Sequence, residues 1–290
     1  MNAQDIRPAG AGAARVDSPW LIVHPAAGEP KLRLFCFHYA GATAAIFRGW
    51  REHLPDWVEL IAVQLPGRDY RMGEPLLDDA APAVEALAQI LPPLLDRPYV
   101  FFGHSMGALI SRDLAHALRA QGLPEPDLFI ASGRSAPSHR WTDAGAQALP
   151  DDAFIETVRD YNGTPEELIT DPDLRELWMP RLRADLTISA MHRYLEQPPL
   201  ACPMLVLHGT VDRLVSDAGL RAWARETSGP LRYVRYPGNH FFLHSQEKQL
   251  LADLGEELTQ LLARGATNQQ PTKRDTRHAT SGPTVRALTH

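Results

Sequence analysis

The stretch Tyr99-Val-Phe-Phe-Gly-His-Ser-Met-Gly-Ala-Leu-Ile110 limits what this chain can fold into more than any other. Tyr99 to Phe102 is a short apolar run of the kind that forms a buried strand. Gly103-His104-Ser105-Met106-Gly107 follows. Ala108 to Arg119 then carries helical periodicity, with Leu109, Leu114 and Leu118 among its apolar positions. Strand, sharp turn and helix in that order place Ser105 on a strained elbow with its hydroxyl exposed. The flanking glycines leave room where a Cβ would clash. A chance G-x-S-x-G in a chain this long has a probability of roughly 0.1, so the surrounding strand and helix carry more weight than the five letters. The elbow also sets Ser105 at a helix N-terminus, where backbone N–H groups and the helix dipole favour negative charge.

The other segments say what kind of sheet the elbow belongs to. Strands are expected at Trp20–Val23, Leu32–Phe37, Val58–Val63, Leu128–Ser132, Met204–His208 and Leu231–Tyr236. Helices are expected near Ala44–Leu54, Asp78–Leu95, Asp217–Thr227 and Ser245–Leu262, with Pro92 and Pro93 disturbing the second. Alternating strands and helices imply an α/β fold with a mostly parallel sheet covered on both faces. Between Pro137 and Leu200 the alternation stops. Three helices are expected there, at Asp151–Asp160, Thr164–Thr170 and Asp173–Tyr194, with Thr164 and Asp171 as start signals. An all-helical insertion over residues 137–200 reads as a lid above the carboxyl edge of the sheet, where open α/β sheets place their sites. The domain is expected to span residues 19–264. Residues 1–18 read as a flexible N-terminus and residues 265–290 as a disordered tail.

Composition closes off several functions. The chain has 290 residues, 44% of them hydrophobic, which suits one large soluble domain. No apolar run nears the ~20 residues of a membrane span, and no signal-peptide pattern opens the chain, so a cytoplasmic protein is expected. The two cysteines, Cys36 and Cys202, fall in or beside strands and read as reduced and buried. A formal charge of −6 argues against nucleic acid as a partner. No zinc-ligand spacing and no phosphate-cradling glycine loop is present, so neither metal nor cofactor is expected.

A serine hydroxyl needs an adjacent base, normally a histidine oriented by a carboxylate. In this sheet type the order along the chain is serine, acid, histidine, each beyond a strand end. His240 follows the strand Leu231–Tyr236 and the turn Pro237-Gly238, and it is read as the base. His208, His244 and His192 are the competitors. Asp212, past the strand end at His208, is read as the acid; Asp217 is the alternative but has the look of a helix N-cap. The oxyanion hole is assigned to the backbone N–H of Met106 and one from the loop His38–Ala42, Ala40 first and Tyr39 second. His38 and His104 read as structural.

These residues resemble a known family. Cys36-Phe-His-Tyr-Ala-Gly-Ala42, Gln64-Leu-Pro-Gly-Arg-Asp-Tyr-Arg71, Phe101-Phe-Gly-His-Ser-Met-Gly107, Ser132-Gly-Arg-Ser-Ala-Pro137, Gly209-Thr-Val-Asp212 and Pro237-Gly-Asn-His-Phe-Phe-Leu243 are similar to the motifs of type II thioesterases. These are the editing enzymes, of α/β-hydrolase fold, that accompany polyketide synthases and nonribosomal peptide synthetases. The likeness runs from about Trp20 to Leu262. The departure is Phe37-His-Tyr-Ala-Gly-Ala42, where the family usually shows Phe-Pro-His-Ala-Gly-Gly; it sets Tyr39 at the entrance.

The resemblance implies a serine thioesterase that hydrolyses acyl groups from the phosphopantetheine arm of an acyl or peptidyl carrier protein. It implies no dedicated cofactor, and a monomer is expected. Arg68, Arg71, Arg134 and Arg140 are candidates for docking the carrier, with internal ion pairs the alternative for Arg68 and Arg71. Leu174, Leu177, Trp178, Met179 and Leu182 are candidates for lining an acyl chamber. A general carboxylesterase, an acyltransferase or cyclase, and a non-catalytic carrier-binding protein are the competing readings.

Overall fold

A computed structural model describes residues 16–139, 141 and 145–268. Seven strands form one sheet in the order β1-β3-β2-β4-β5-β6-β7. They are β1 Leu21–His24, β2 Leu32–Phe37, β3 Val58–Val63, β4 Tyr99–His104, β5 Leu128–Ser132, β6 Met204–Gly209 and β7 Leu231–Tyr236. Only β1 runs antiparallel, against β3. The helices are α1 Ala81–Ile90, α2 Met106–Ala120, α3 Asp151–Tyr161, α4 Glu166–Thr170, α5 Pro172–Met191, α6 Asp217–Arg221, α7 Phe242–Ser245 and α8 Glu247–Asn268. The α/β class expected from the alternating pattern is the one found.

The pleat divides the core in two. Phe35, Phe101 and Phe129 stand opposite one another across β2, β4 and β5. They pack on α1 and α2 through Leu87, Leu114 and Leu118. The alternate residues, Cys36, Phe102 and Ile130, face the other way. They meet Phe47, Trp50 and the α8 leucines 250, 251, 254 and 258. Both faces are covered, so β2 and β4 are buried at every position. Arg33 is fully buried within β2 and is tolerated because Glu59, Asp96 and the Leu94 carbonyl accept from it.

Several element boundaries differ from the sequence expectation. Ala44–Leu54 is two single 3₁₀ turns, Ala44–Phe47 and Trp50–His53, broken at Gly49. The helix expected over Asp78–Leu95 is shorter because Pro92 and Pro93 supply no N–H; a separate turn, Pro92–Leu94, follows it. Ser216, not Asp217, caps α6: its Oγ accepts from Gly219 N at 3.0 Å. Asp171 caps α5 through Asp173 N and Leu174 N, whereas Pro165 stands at the cap of α4 in place of Thr164. Residues 16–18 are engaged, with Val16 against the core and Ser18 accepting from Leu21 N. Helix α8 continues past Arg264 to Asn268. The expectations for residues 1–15, 269–290 and Arg140 lie outside the described residues.

Register decides where the loops emerge. Phe37 pairs with Gly103, His104 with Ser132, and Gly209 with Tyr236, so the carboxyl ends of these strands lie side by side. Helix α2 then passes very close to β2. A Cβ on Gly107 would stand 2.2 Å from the Phe37 carbonyl oxygen, and one on Gly103 would stand 2.5 Å from the Gly107 carbonyl oxygen. Gly107→Ala therefore has to push backbone from backbone. We expect it to lose about 3 kcal/mol or more of stability, or to yield no folded protein. A urea midpoint equal to wild type would contradict this.

Candidate functional site

Ser105 sits between β4 and α2 with φ 53 and ψ −114, a left-handed conformation that costs a non-glycine residue about 1–3 kcal/mol. Two contacts hold it there. Its N–H donates to the Ser132 carbonyl at 2.8 Å, and the missing side chains of Gly103 and Gly107 let the turn close. Met106 is the first residue of α2, so its N–H has no acceptor within the helix.

The loops after β6 and β7 are stitched together. Thr210 N donates to the Tyr236 carbonyl and Val211 N to the Gly238 carbonyl. A Cβ on Gly209 would meet the Asn239 carbonyl at 2.2 Å, so only glycine allows this approach. The result brings Asp212 and His240 together: Asp212 Oδ2 lies 2.8 Å from His240 Nδ1. The other carboxylate oxygen accepts from Leu214 N at 2.9 Å, and the Asp212 side chain is almost fully buried. Ser105 and His240 line one cavity, together with Tyr39, Ala40 and Gly41. The cavity encloses about 960 Å³ of empty space, part of it open to solvent. Its far wall is apolar, with Val158, Leu168, Trp178, Leu182 and Leu186 from the helical insertion.

The other histidines have different partners. His208 Nε2 accepts from Arg235 Nε, His192 pairs with Asp113, and His244 meets the Tyr39 hydroxyl at 2.9 Å. His104 lies behind His240, ring centroids 5.1 Å apart, with Nδ1 at 2.8 Å from Ser132 Oγ. Burial drives the His104 pKa well below that of a free imidazole, so the ring is a neutral wall for His240. His38 is likewise buried, and burial aided by the Arg68 charge pushes its pKa down to about 4. Asp217 is exposed and pairs at most loosely with Arg235, at 4.0 Å.

Arg68, Arg71 and Arg134, three of the arginines considered for docking, are not surface groups. Arg68 is fully buried and clasped by Asp185 of α5, with Nη1 and Nη2 both 2.8 Å from carboxylate oxygens. Arg71 is held by Glu74 and the Gln64 carbonyl and lies over Trp20. Arg134 is buried too; it donates to the Ser189 carbonyl at 3.3 Å, and burial pushes its pKa down to about 9. Of the apolar candidates in the insertion, Trp178 and Leu182 line the cavity, whereas Leu174 and Leu177 are exposed on the outside of α5. Met179 packs into the insertion's own core.

Sequence reasoning missed Asp185. A signal was present: Trp178, Leu182 and Ser189 share one face of α5 with it, at helical spacing, so an acid falls on a buried stripe. No metal-holding group of three ligands occurs among the described residues.

A mostly parallel sheet, a strained serine on a strand-to-helix elbow and helices on both faces make this an α/β-hydrolase. Solved thioesterases share the architecture. RedJ, a thioesterase from the prodiginine pathway of Streptomyces coelicolor, superposes with a TM-score of 0.74 at 38% identity, over 87% of this chain and 91% of its own. BorB, a type II thioesterase from the borrelidin cluster, gives a TM-score of 0.76 at 29% identity, over 84% and 100%. In sequence, the chain is 36% identical to the gramicidin S biosynthesis protein GrsT of Aneurinibacillus migulanus, over 84% of this chain and 95% of that one. It is 40% identical to a protein of Brevibacillus parabrevis named linear gramicidin dehydrogenase LgrE, over 84% and 94%. The thioesterase domain model matches residues 32–258, and the chain belongs to the thioesterase family.

Two buried neutral histidines give the fold an acid weakness. In the folded state His38 stays mostly unprotonated down to near its pKa of about 4, and burial shifts His104 the same way, whereas unfolded histidine takes up a proton below about 6.5. The unfolded chain then holds more protons, so stability falls as pH drops from about 6.5 toward 4, by up to about 1.4 kcal/mol per pH unit for His38, with His104 acting in the same direction. Urea midpoints at pH 7 and pH 5 read this directly. An equal or higher midpoint at pH 5 would refute it.

Proposed function

We propose that this protein hydrolyses acyl thioesters carried on the phosphopantetheine arm of acyl or peptidyl carrier proteins, clearing acyl groups during polyketide or nonribosomal peptide assembly. The observation that carries the proposal is the meeting of the buried Asp212–His240 pair and the strained Ser105 at one cavity with an apolar wall. Family membership supplies the reaction class, and the pathways named for RedJ, BorB and GrsT support the substrate class. The word dehydrogenase in one relative's name describes that protein; the groups gathered here suit acyl transfer to a serine.

In this reading Asp212 takes up Nδ1 of His240, which fixes the ring and leaves Nε2 for the Ser105 hydroxyl. Ser105 Oγ attacks the thioester carbonyl carbon as Nε2 takes its proton. The N–H groups of Met106 and Ala40 receive the oxyanion at the helix N-terminus and the β2 loop. The C–S bond breaks, the thiol leaves with the proton returned by His240, and an acyl-Ser105 ester remains. A thiol of pKa near ~8.5 leaves readily. Water deprotonated by His240 then attacks the ester, and the acid departs. The chemistry needs no dedicated cofactor. The helical insertion acts as the lid that excludes water from the acyl group. The protein works as a cytoplasmic monomer in this account. No helix among the described residues is long and apolar enough to cross a membrane.

The test is a panel of acyl-carrier, acyl-pantetheine and simple ester substrates with purified protein. Carrier thioesters should turn over fastest, releasing free acid. Ser105→Ala should abolish this turnover, and Asp212→Asn should lower kcat by about 10³–10⁴. Faster hydrolysis of simple esters would favour a carboxylesterase, and transfer to a second nucleophile would favour an acyltransferase.

A further inference from the structure

Four residues of the β2 loop form a tight turn. Ala42 N donates to the Tyr39 carbonyl at 3.2 Å, and Gly41 stands in the third position with φ 81. A positive φ there is what a type II turn requires. The alternative type I turn differs mainly by a flip of the peptide joining the two central residues, here Ala40 and Gly41. That flip exchanges the directions of the Ala40 carbonyl and the Gly41 N–H, so a turn that is to hold the neighbouring Ala40 N–H in place needs this peptide anchored.

The holding group comes from far away in sequence. Asp185 Oδ2, on α5 of the insertion, accepts from Gly41 N at 2.7 Å. The same oxygen accepts from Arg68 Nη1, and Oδ1 accepts from Arg68 Nη2, each at 2.8 Å. Arg68 Nη1 also donates to the Ala42 carbonyl at 3.0 Å. One fully buried bidentate pair thus grips the turn at two of its peptides, Ala40–Gly41 and Ala42–Thr43. A buried ion pair is a poor way to gain stability. Its geometry here favours another role.

We propose that Asp185, with Arg68, is a positioning residue for the oxyanion loop: it anchors the turn at the Ala40–Gly41 peptide, so that the preceding Tyr39–Ala40 peptide, which carries the Ala40 N–H, is held in place toward the developing oxyanion. The inference rests on the functional reading above, which makes Ala40 a donor. It also gives the helical insertion a part in catalysis beyond covering the site. With α5 displaced, Gly41 N loses its acceptor and the turn is free to flip.

Single substitutions would leave one charge buried alone, so the test uses two charge-free pairs. Arg68→Met with Asp185→Asn keeps a carbonyl oxygen for Gly41 N. Arg68→Met with Asp185→Leu removes it. Each is measured for thermal midpoint, for kcat and KM on an acyl thioester, and for the rate at which a fluorophosphonate labels Ser105. The leucine pair should lose about 30-fold in both kcat and labelling rate, with KM within about threefold. The asparagine pair should recover most of that loss. Asp185→Glu, which keeps the charge but lengthens the arm, is a second variant in case the leucine pair folds poorly; its kcat should fall about tenfold at unchanged KM. Equal kcat and labelling in the two pairs, or a loss confined to KM, would overturn the proposal. Labelling asks only whether the loop is in place. If wild type fails on every thioester while labelling still ranks the variants as stated, the substrate reading falls and this one stands.

Discussion

The site depends on how closely the start of α2 lies against the end of β2. That approach is possible only because Gly107 presents no side chain to the Phe37 carbonyl. It fixes three things together. The turn between β4 and α2 must be tight, so Ser105 is forced into a conformation it would otherwise avoid. Met106, the first residue of α2, directly follows the serine and is fully buried. The loop after β2 is brought beside the serine, where it lines the same cavity. Strain at Ser105 is small beside the burial of β2 and β4, which are covered on both faces. The packed sheet imposes the conformation on the serine.

Burial and charge are handled differently on the two sides of this contact. Behind the site the polar groups are neutral: His38 and His104 keep their protons off because the surroundings cannot solvate an imidazolium. Beside it the charges are kept but matched, as with Arg68 and Asp185 or Arg33 with Glu59 and Asp96. The cavity between them has an apolar wall and one acid-oriented histidine. Among the described residues, Arg181 is the one other charged side chain in its lining, so on the proposed reaction a developing charge would meet few competing ions.

Much of this was legible in the sequence. Buried strands betray themselves as apolar runs, and the parallel order follows from their alternation with helices. Ser105, Asp212 and His240 could be picked out because each stands just past a strand, and strand ends on one edge of a parallel sheet are neighbours by construction. The short helices were harder. Gly49 and the Pro92-Pro93 pair break local hydrogen bonding without changing the apolar pattern, so periodicity overstates their length. Arg68 and Arg71 could not be placed from charge alone. What decides that an arginine is buried is its acceptor, and Asp185 is 117 residues away from Arg68. Long-range pairing of this kind leaves only an indirect trace, an acid on the apolar stripe of α5.

The helical insertion has a hydrophobic core of its own, built from Phe154, Val158, Ile169, Trp178, Leu182 and neighbours, apart from the two cores of the sheet. Structural units with separate cores can open separately, at a free energy below that of global unfolding. The insertion packs mainly on itself, while Ile188 of α5 ties it into the core of the sheet. Its attachment to the rest of the domain runs in part through a single carboxylate, and the same carboxylate grips the turn beside the serine. A movement of α5 and a loosening of the turn at Gly41 are then one event seen from two places. Whatever shifts α5 is therefore felt at the turn beside Ser105.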